Sequence, residues 1–299
     1  MTQRSIAMNS LTNLQNMQAR SAQLREQITS GTSLSKGSDD SVRAAAALRL
    51  NDQVAVNTQN SRNLTEARAW MTTQEPALQS TTDALQRVRD LTVQAGNGAL
   101  DDKGRAAIAA EIRELKNTIL GDANTQYQGR AVFAGTSAAE QAYDPEGYAT
   151  TDDTGVLAGK QIGIVTRTIS PGVEMQVNIS GKAVYGSGDD SVFKELDVLA
   201  ENISLGKVAD ATAALATIDK RINLATTAMA TIGAKTNQLD HAEEVNTNQL
   251  QYLTTQLEDV SGVDTAKAYM EITAQSVAYQ AALQVTAKTI QSSLVDFLR

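Results

Sequence analysis

The chain has 299 residues, a formal net charge of −8 at pH 7, no cysteine and one histidine. These numbers exclude a disulfide, a thiolate metal site, a cysteine nucleophile and a metal site made of several histidines. The acidic balance argues against nucleic-acid binding, which needs a basic face, and no apolar run approaches the ~18 residues of a membrane-spanning helix. The first residues lack the apolar core of a secretory signal peptide, so we expect neither that export route nor membrane insertion.

Near the start of the chain, apolar residues recur at alternating steps of three and four. Leu14, Met17, Leu24 and Ile28 follow this spacing, which is typical of a helix that packs against a partner helix. Gly31 comes directly after the periodic stretch, and glycine commonly ends a helix. We therefore predict a first helix that ends near residue 30 and needs a partner along its apolar face.

A second and much longer helix is predicted from about Ser41 to Ala95. Asp39 and Asp40 precede it, and their carboxylates can accept the unpaired N–H groups of its first turn. Pro76 lies inside it and should kink the helix or end a sub-helix, because proline lacks the N–H of the helical hydrogen bond. The apolar face of this helix consists of Leu50, Val54, Leu64, Met71, Leu78 and Leu85.

A third helix is predicted from about Asp102 to Tyr127, before a stretch rich in turn residues. Ten of the 19 glycines lie between residues 129 and 188, together with two of the three prolines. Because both residue types weaken helices, this stretch divides the helical flanks. The inward face of the third helix is predicted to consist of Ile108, Ile112, Leu115 and Ile119.

Two segments of this middle stretch alternate apolar and polar residues, as half-buried strands do. Pro171 and Gly172 separate the two segments. Proline fixes φ at the second position of a type II turn, and glycine supplies the positive φ at the third. We predict a β-hairpin within a small β-rich insert. The alternating positions are Ile162, Ile164 and Thr166, then Val173, Met175, Val177 and Ile179.

The second flank returns to helical periodicity. Asp189–Ser191 predicts another N-cap. Steps of three and four then continue from Leu215 to Val260, which predicts a helix roughly 70 Å long. A last helix is predicted from about Asp264, with an apolar seam of Leu283, Ala287, Ile290, Leu294 and Phe297.

These elements predict a mainly α fold. An apolar stripe sustained over many turns needs a covering helix, and the first and last helices both carry one. We expect an elongated bundle of long helices in which the N- and C-terminal helices pair, with the small β-rich insert at the far end. Three domains are expected: residues 1–40 with 261–299 as a terminal coiled coil, residues 41–130 with 191–260 as a helical rod, and residues 131–190 as a β-rich outer domain.

No group of residues predicts catalysis. His241 lies in the sequence HAEEV on the long helix without a nucleophile nearby, so we interpret it as a solvated surface residue. Trp70, the single tryptophan, is expected to pack in the core or between helices, and an interface anchor is the alternative. No nucleotide-binding or nucleophile-elbow motif occurs. Helix caps and a loop explain the paired aspartates at 39–40, 101–102, 152–153 and 189–190. We predict no catalytic residue, no cofactor and no metal.

Several segments together resemble a known family. They include SGTSLSKGSDDSVRAAAALRL at 30–50, NLTEARAWMTTQEPAL at 63–78, LQRVRDLTVQAGNG at 85–98, ANTQYQGRAVFAGT at 123–136 and YQAALQVTAKTIQSSLVDFL at 279–298. In this order they resemble the flagellin-like superfamily, and within it the FlgL type of hook-associated proteins at the hook–filament junction. Ser41 stands where this family usually has proline, and VFAG replaces its more common aromatic-Leu-Phe sequence.

The resemblance implies a structural adaptor that is exported unfolded through the flagellar type III apparatus and polymerises at the distal hook, outside the cell. It implies as partners copies of the chain in a ring, a second junction protein on the hook side, flagellin on the filament side and an export chaperone. The residues predicted to form the assembly interface are Leu14, Met17, Leu24, Ile28, Leu283, Ile290, Leu294 and Phe297.

Three other functions remain open. A flagellin-type filament subunit is the nearest alternative, because LQRVRDLTVQ is shared with flagellins generally. A secreted enzyme with a catalytic insert is a second, although residues 137–190 contain no histidine and three separated glutamates. An intracellular coiled-coil scaffold is a third, and the β-rich insert counts against it.

Overall fold

A computed structural model describes residues 3–34, 40–97, 100–137, 139–144, 146–147, 149, 156–157, 160–161 and 163–297. For residues 3–7, 156–157, 160–161 and 288–297 it describes the backbone alone. The first part of the chain contains α1 (Gln3–Ser30), α2 (Ser41–Ala95), α3 (Asp102–Ala123), β1 (Gln126–Tyr127) and β2 (Arg130–Ala131). The middle contains β3 (Val156–Leu157), β4 (Lys160–Gln161), β5 (Thr166–Ser170), β6 (Val173–Gln176), α4 (Gly181–Tyr185), β7 (Gly186–Ser187) and β8 (Asp190–Ser191). The last part contains α5 (Val192–Ser204), α6 (Val208–Ala213), α7 (Leu215–Ser261) and α8 (Thr265–Phe297).

The chain forms two compact units. Residues 1–57 and 248–299 make the terminal unit, and residues 58–247 make the central unit. The fold is mainly α, the first and last helices pair within the terminal unit, and the strands are short, as the sequence predicted. The division into three domains stays a prediction.

The long helices begin and end close to the predicted residues. α2 and α7 match their predicted spans, and α1 ends at Ser30, just before Gly31 with its φ of +71°. Asp40 caps α2, since its Oδ1 accepts the N–H groups of Val42 and Arg43 at 3.1 and 3.0 Å. Most of the predicted apolar face of α2 is buried, namely Leu64, Met71, Leu78 and Leu85.

Pro76 does not end a sub-helix, so that part of the prediction was wrong. α2 continues through it for all 55 residues. The Pro76 ring is exposed, whereas the next residues, Ala77 and Leu78, are buried in the core of the central unit. We attribute the continuity to this packing, which offsets the missing backbone hydrogen bond.

α3 ends at Ala123, four residues before the predicted Tyr127. The helix ends before Asn124 because the side chain of this residue forms hydrogen bonds with the loop at residues 142–143. Its Oδ1 accepts the N–H groups of Ala142 and Tyr143 at 2.8 and 2.9 Å, and its Nδ2 donates to the carbonyl of Tyr143 at 2.9 Å. The chain therefore leaves the helix here and enters β1.

The β-rich insert consists of separate antiparallel hairpins within the described residues: β1 with β2, β3 with β4, β5 with β6 and β7 with β8. The predicted hairpin is confirmed in β5 and β6, and Gly172 in its turn has a φ of +75°. Its first strand begins at Thr166 instead of Ile162, which lies outside the described residues. Met175, Val177 and Ile179 are buried, but Val173 is 46 % exposed beside a register shift.

The predicted cap at residues 189–191 is formed by the serine alone. Ser191 Oγ accepts the N–H of Lys194 at 3.2 Å and caps α5. The expectation that the adjacent aspartates cap the helix was wrong for Asp190, whose Oδ1 accepts from Arg221 at 3.2 Å. The second aspartate pair behaves as predicted, since Asp101 Oδ1 accepts the N–H of Gly104 at 2.8 Å and caps α3.

The core of the central unit combines helix faces with aromatic rings of the insert. Phe133, Tyr143, Tyr185 and Phe193 are all at most 3 % exposed, and their ring centroids lie 5.1 to 6.1 Å apart. Gln74 of α2 is fully buried, and its Nε2 donates to the carbonyl of Val132 at 2.9 Å. Trp70 is also buried, as predicted.

Candidate assembly surface

α1 and α8 pack against each other in the terminal unit. Leu24 is 3 % exposed and Ala268 4 % exposed, which marks the tightest part of this helix pair. Polar contacts flank it: Gln18 Nε2 donates to Tyr279 Oη at 3.3 Å. Arg20 Nη2 lies 3.8 Å from Glu271 Oε2 at an exposed position, where an ion pair contributes at most about 1 kcal/mol.

The predicted assembly residues of α1 largely pack within the chain itself. Leu24 is buried, and Leu14, Met17 and Ile28 are half-buried on the same face of α1. Leu283 of α8 is instead 43 % exposed. The structure does not describe the side chains of Ile290, Leu294 and Phe297, although the backbone of these residues belongs to α8.

Sequence reasoning missed a second apolar set in the terminal unit, which lies off the predicted seams. Met270 and Val277 of α8 are 66 and 62 % exposed, and their spacing of seven residues places them on one side of the helix. Besides Leu283, the other large exposed apolar residues described in this unit are Met8, Leu11, Val42, Leu48, Val56, Tyr252, Tyr269 and Val285. The seven-residue repeat was the signal that could have identified Met270 and Val277.

The central unit exposes fewer large apolar side chains although it contains more residues. Those described are Val93, Val173, Val198, Leu205 and Val245. A concentration of exposed apolar side chains marks a surface that binds another protein. The terminal unit therefore carries the candidate assembly surface, which we define as Met8, Leu11, Tyr269, Met270, Val277, Leu283 and Val285.

A loop contact fixes where α1 ends and α8 begins. The N–H of Ser33 donates to the carbonyl of Ser261 at 2.7 Å, and the N–H of Val263 donates to the carbonyl of Gly31 at 3.3 Å. Asp264 caps α8, since its Oδ1 accepts the N–H of Lys267 at 2.9 Å. These bonds satisfy backbone groups at both helix ends and hold the two helices of the surface in register.

The acidic residues beside His241 form ion pairs. His241 is exposed on α7. Its acidic neighbours Asp240 and Glu243 accept hydrogen bonds from Arg68 of α2 at 2.5 and 2.6 Å, and the bond to Asp240, followed by that to Glu243, raises the pKa of Arg68. Among the described residues, no group of three or more His, Cys, Asp or Glu side chains could hold a metal ion. No described helix is long and apolar enough to cross a membrane.

Two regions of the chain match regions of a known protein family, and together they cover most of the chain. Residues 2–138 match the bacterial flagellin N-terminal helical region, and residues 215–298 match the bacterial flagellin C-terminal helical region. The first region takes in α1 to β2, and the second takes in α7 and α8. The helices that build the candidate assembly surface thus belong to matched regions.

Curated relatives are similar over almost their whole length. Flagellin of Bacillus subtilis is 28 % identical over 95 % of this chain and 94 % of that protein. Flagellar hook-associated protein 3 of Salmonella typhimurium is 26 % identical over 93 % of this chain and 92 % of that protein. Flagellar hook-associated protein 3 of Escherichia coli is 26 % identical over 89 % of this chain and 90 % of that protein.

Solved structures share the fold. FlgL of Bacillus cereus aligns with a TM-score of 0.59 and 22 % identity over 70 % of this chain and 99 % of that chain. Flagellar hook-associated protein-3 of Legionella pneumophila aligns with a TM-score of 0.61 and 16 % identity over 71 % of this chain and 98 % of that chain. Matched regions at both ends, full-length relatives and a shared fold lead to one conclusion: the chain belongs to the flagellin-like family of flagellar structural proteins.

Proposed function

We propose that the chain is the structural adaptor that joins the flagellar hook to the filament. The observation that carries this proposal is the similarity to flagellar hook-associated protein 3 from two organisms, which extends over about nine tenths of each sequence. The sequence GRAVFAGT at residues 129–136 supports it, because this segment resembles the junction proteins more than flagellins. Residues 131–135 of this segment are all buried in the core of the central unit.

The adaptor is proposed to be exported unfolded through the flagellar type III apparatus and to polymerise at the distal hook, outside the cell. The absence of cysteine is compatible with this route, since a disulfide would obstruct threading of the chain. Its proposed partners are copies of itself in a ring, a second junction protein on the hook side, flagellin on the filament side and an export chaperone. Nucleic acid and membrane are not among them.

Polymerisation is proposed to use the terminal unit. The exposed Met270 and Val277 of α8 supply apolar area, and burial of about 100 Å² of such surface contributes about 2.5 kcal/mol before the costs of association. Leu283, Ile290, Leu294 and Phe297 are proposed to continue this contact along α8. Leu14, Met17, Leu24 and Ile28 contribute indirectly, because they hold α1 against α8.

A flagellin-type filament subunit is the second candidate. The 28 % identity to flagellin of Bacillus subtilis over 95 % of this chain supports it. The two functions differ in the end point of assembly, because a filament subunit grows into long fibres whereas an adaptor stops at a short ring.

Assembly of the purified chain tests the proposal. We expect sedimentation velocity and electron microscopy to show monomers and short rings at rising concentration, and long fibres would favour the filament subunit.

Val277→Asp should abolish incorporation into flagella when it is expressed in place of the natural chain. Val93→Asp, which adds the same charge at a similarly exposed position of the central unit, should leave incorporation intact. Equal loss in both variants would contradict an assembly surface in the terminal unit.

A further inference from the structure

A pocket of about 90 Å³ lies in the central unit beside the single tryptophan. Its walls include Glu66 and Trp70 of α2, Gln128 and Arg130 of the β1–β2 hairpin and Arg167 of β5, and Tyr127 and Val177 complete the lining. The family resemblance assigns no role to this pocket. Two positively charged side chains thus lie in one small cavity of an acidic protein.

The hairpin turn places Arg130 over the tryptophan ring. Gln128 and Gly129 have φ values of +51° and +75°, the combination that a two-residue type I′ turn requires. Tyr127, at the other side of the turn, meets Trp70 edge to face with centroids 5.9 Å apart. The Arg130 guanidinium then lies 5.7 Å from the Trp70 ring centroid, within cation–π range.

The two arginines differ in their charge partners. Arg167 Nε lies 3.2 Å from Glu66 Oε2, so its charge is compensated. Arg130 has no carboxylate partner in the described part of the chain, and its Nη2 makes only long contacts to the carbonyls of Thr136 and Ser137, at 3.5 and 3.3 Å. The pocket therefore carries one uncompensated positive charge.

Two buried donors of this pocket also lack an acceptor. Trp70 Nε1 and Arg130 Nε are two of the four buried side-chain nitrogen or oxygen atoms without a hydrogen-bond partner among the described residues. Such an unpaired donor costs about 1–3 kcal/mol. Because the guanidinium is already partly desolvated and is held over a ring, little further desolvation or ordering is needed when an anion arrives.

The dimensions and charge of the pocket favour a carboxylate. A volume of about 90 Å³ is large enough to admit a carboxylate group. Planar guanidinium groups bind carboxylates through two parallel hydrogen bonds. Acidic residues outnumber basic ones by 34 to 26, so a second copy of the chain presents this group in excess.

We propose that this pocket binds an aspartate or glutamate side chain of a second copy of this chain. The inference rests on the proposed self-assembly and adds to it a polar contact through the central unit, beside the apolar contact through the terminal unit. Arg130 provides the counter-charge, and Trp70 provides the surface on which the guanidinium is held.

Trp70 fluorescence tests the proposal, because this residue is the only tryptophan and lies in the pocket wall. The emission of the full chain is recorded across a concentration series while sedimentation velocity follows self-association. We expect the emission to change in parallel with association.

Arg130→Gln should weaken association about tenfold, as loss of one charge-assisted contact of about 1.4 kcal/mol does, and should remove the emission change. Arg113→Gln, which removes the same charge from an exposed position of α3, should behave like the natural chain.

Arg130→Lys serves as a second variant in case Arg130→Gln unfolds. It keeps the charge over the ring but not the two parallel donors, so its association should lie between that of the natural chain and that of Arg130→Gln. Association with unchanged Trp70 emission, or equal association of the Arg130 and Arg113 variants, would overturn the pocket proposal and leave self-assembly intact. A chain that remains monomeric at every concentration would contradict both.

Discussion

Arg43 caps the C-terminal end of α7 through the carbonyl of Val260. Both Nε and Nη2 of Arg43 donate to this oxygen, at 2.9 and 2.5 Å, and Nη2 also donates to Ser33 Oγ at 3.0 Å. The last carbonyls of a helix lack internal partners and carry partial negative charge, so a guanidinium stabilises them. One side chain of α2 thereby joins the end of α7 to the loop after α1, all within the terminal unit.

Arg43→Ala should loosen this loop contact. We expect the local opening free energy to fall by about 1 kcal/mol, because three charge-assisted bonds at an exposed site are lost, two to Val260 and one to Ser33. Hydrogen exchange at the amides of Ser33 and Val263 measures the change. Arg49→Ala is the control, since within the described residues Arg49 donates only to the carbonyl of Ala45 in its own helix. Similar acceleration by both variants would contradict the capping role.

Arg221→Met should strongly destabilise the central unit. Arg221 is 4 % exposed and binds Glu195 through two bonds of 2.8 and 2.7 Å and the carbonyl of Asp190 at 2.8 Å. Hydrogen bonding of the Arg221 guanidinium to the Glu195 carboxylate is the main reason that the pKa of Arg221 is raised. Removal of the guanidinium leaves the carboxylates of Glu195 and Asp190 without their cation. We therefore expect the free energy of unfolding, measured with urea, to fall by about 3 kcal/mol.

The matched control for this loss is Arg89→Met. Arg89 pairs with Asp219 at 2.8 Å, but both side chains are about half exposed. An exposed pair contributes less than about 1 kcal/mol. If both variants lost the same free energy of unfolding, burial of the Arg221 pair would not be the cause.

Gln74→Leu should weaken the contact between α2 and the insert. The Gln74 side chain is fully buried, donates to the carbonyl of Val132 at 2.9 Å and accepts the N–H of Ile179 at 3.4 Å. Leucine fills a similar volume but leaves these backbone groups unpaired, so we expect a loss of about 2 kcal/mol by urea unfolding. Gln79→Leu, at an exposed position of the same helix, should cost less than about 0.5 kcal/mol. A neutral Gln74 variant would contradict the role assigned to these bonds.

Asp122 should make the stability of the central unit depend on pH. Burial raises the pKa of this carboxyl, while hydrogen bonds from Ser80 and Thr81 oppose the rise. The folded chain then binds the proton more tightly than the unfolded chain. Its contribution to stability is fully present below the unfolded pKa of about 3.9 and is lost as the pH rises through the folded pKa.

Asp122→Asn should therefore raise the free energy of unfolding at pH 7, and the gain should shrink as the pH approaches 4. Urea unfolding from pH 4 to 8 measures it, with Asp83→Asn as the control that removes the same charge from an exposed position of α2. A gain that is the same at every pH would show that desolvation of the Asp122 carboxylate is not responsible.

The sequence predicted the long helices because their apolar spacing and their end signals are local. Gly31 and Asp40 identify helix ends from neighbouring residues, and the structure confirms both. The continuity of α2 through Pro76 depends on packing of Ala77 and Leu78 against residues distant in sequence. Periodicity carries no information about such packing.

The candidate assembly surface was predicted only in part, for a related reason. Spacing identified Leu24 as apolar and predicted that the first and last helices pair, but it also assigned Leu24 to the assembly interface, whereas the side chain is buried within this chain. Met270 and Val277 lie outside the dominant seam of α8, so the periodic pattern did not select them. Partners such as Arg43 and Val260 are 217 residues apart, and no local pattern signals such a pair.

Deletion of the gene, followed by electron microscopy of the cells and a protein assay of the medium, tests the adaptor function most directly. We expect bare hooks together with flagellin accumulating in the medium, and restoration of filaments by the natural chain. Loss of both the filament and the major secreted flagellin band would contradict it and would identify this chain as the filament subunit.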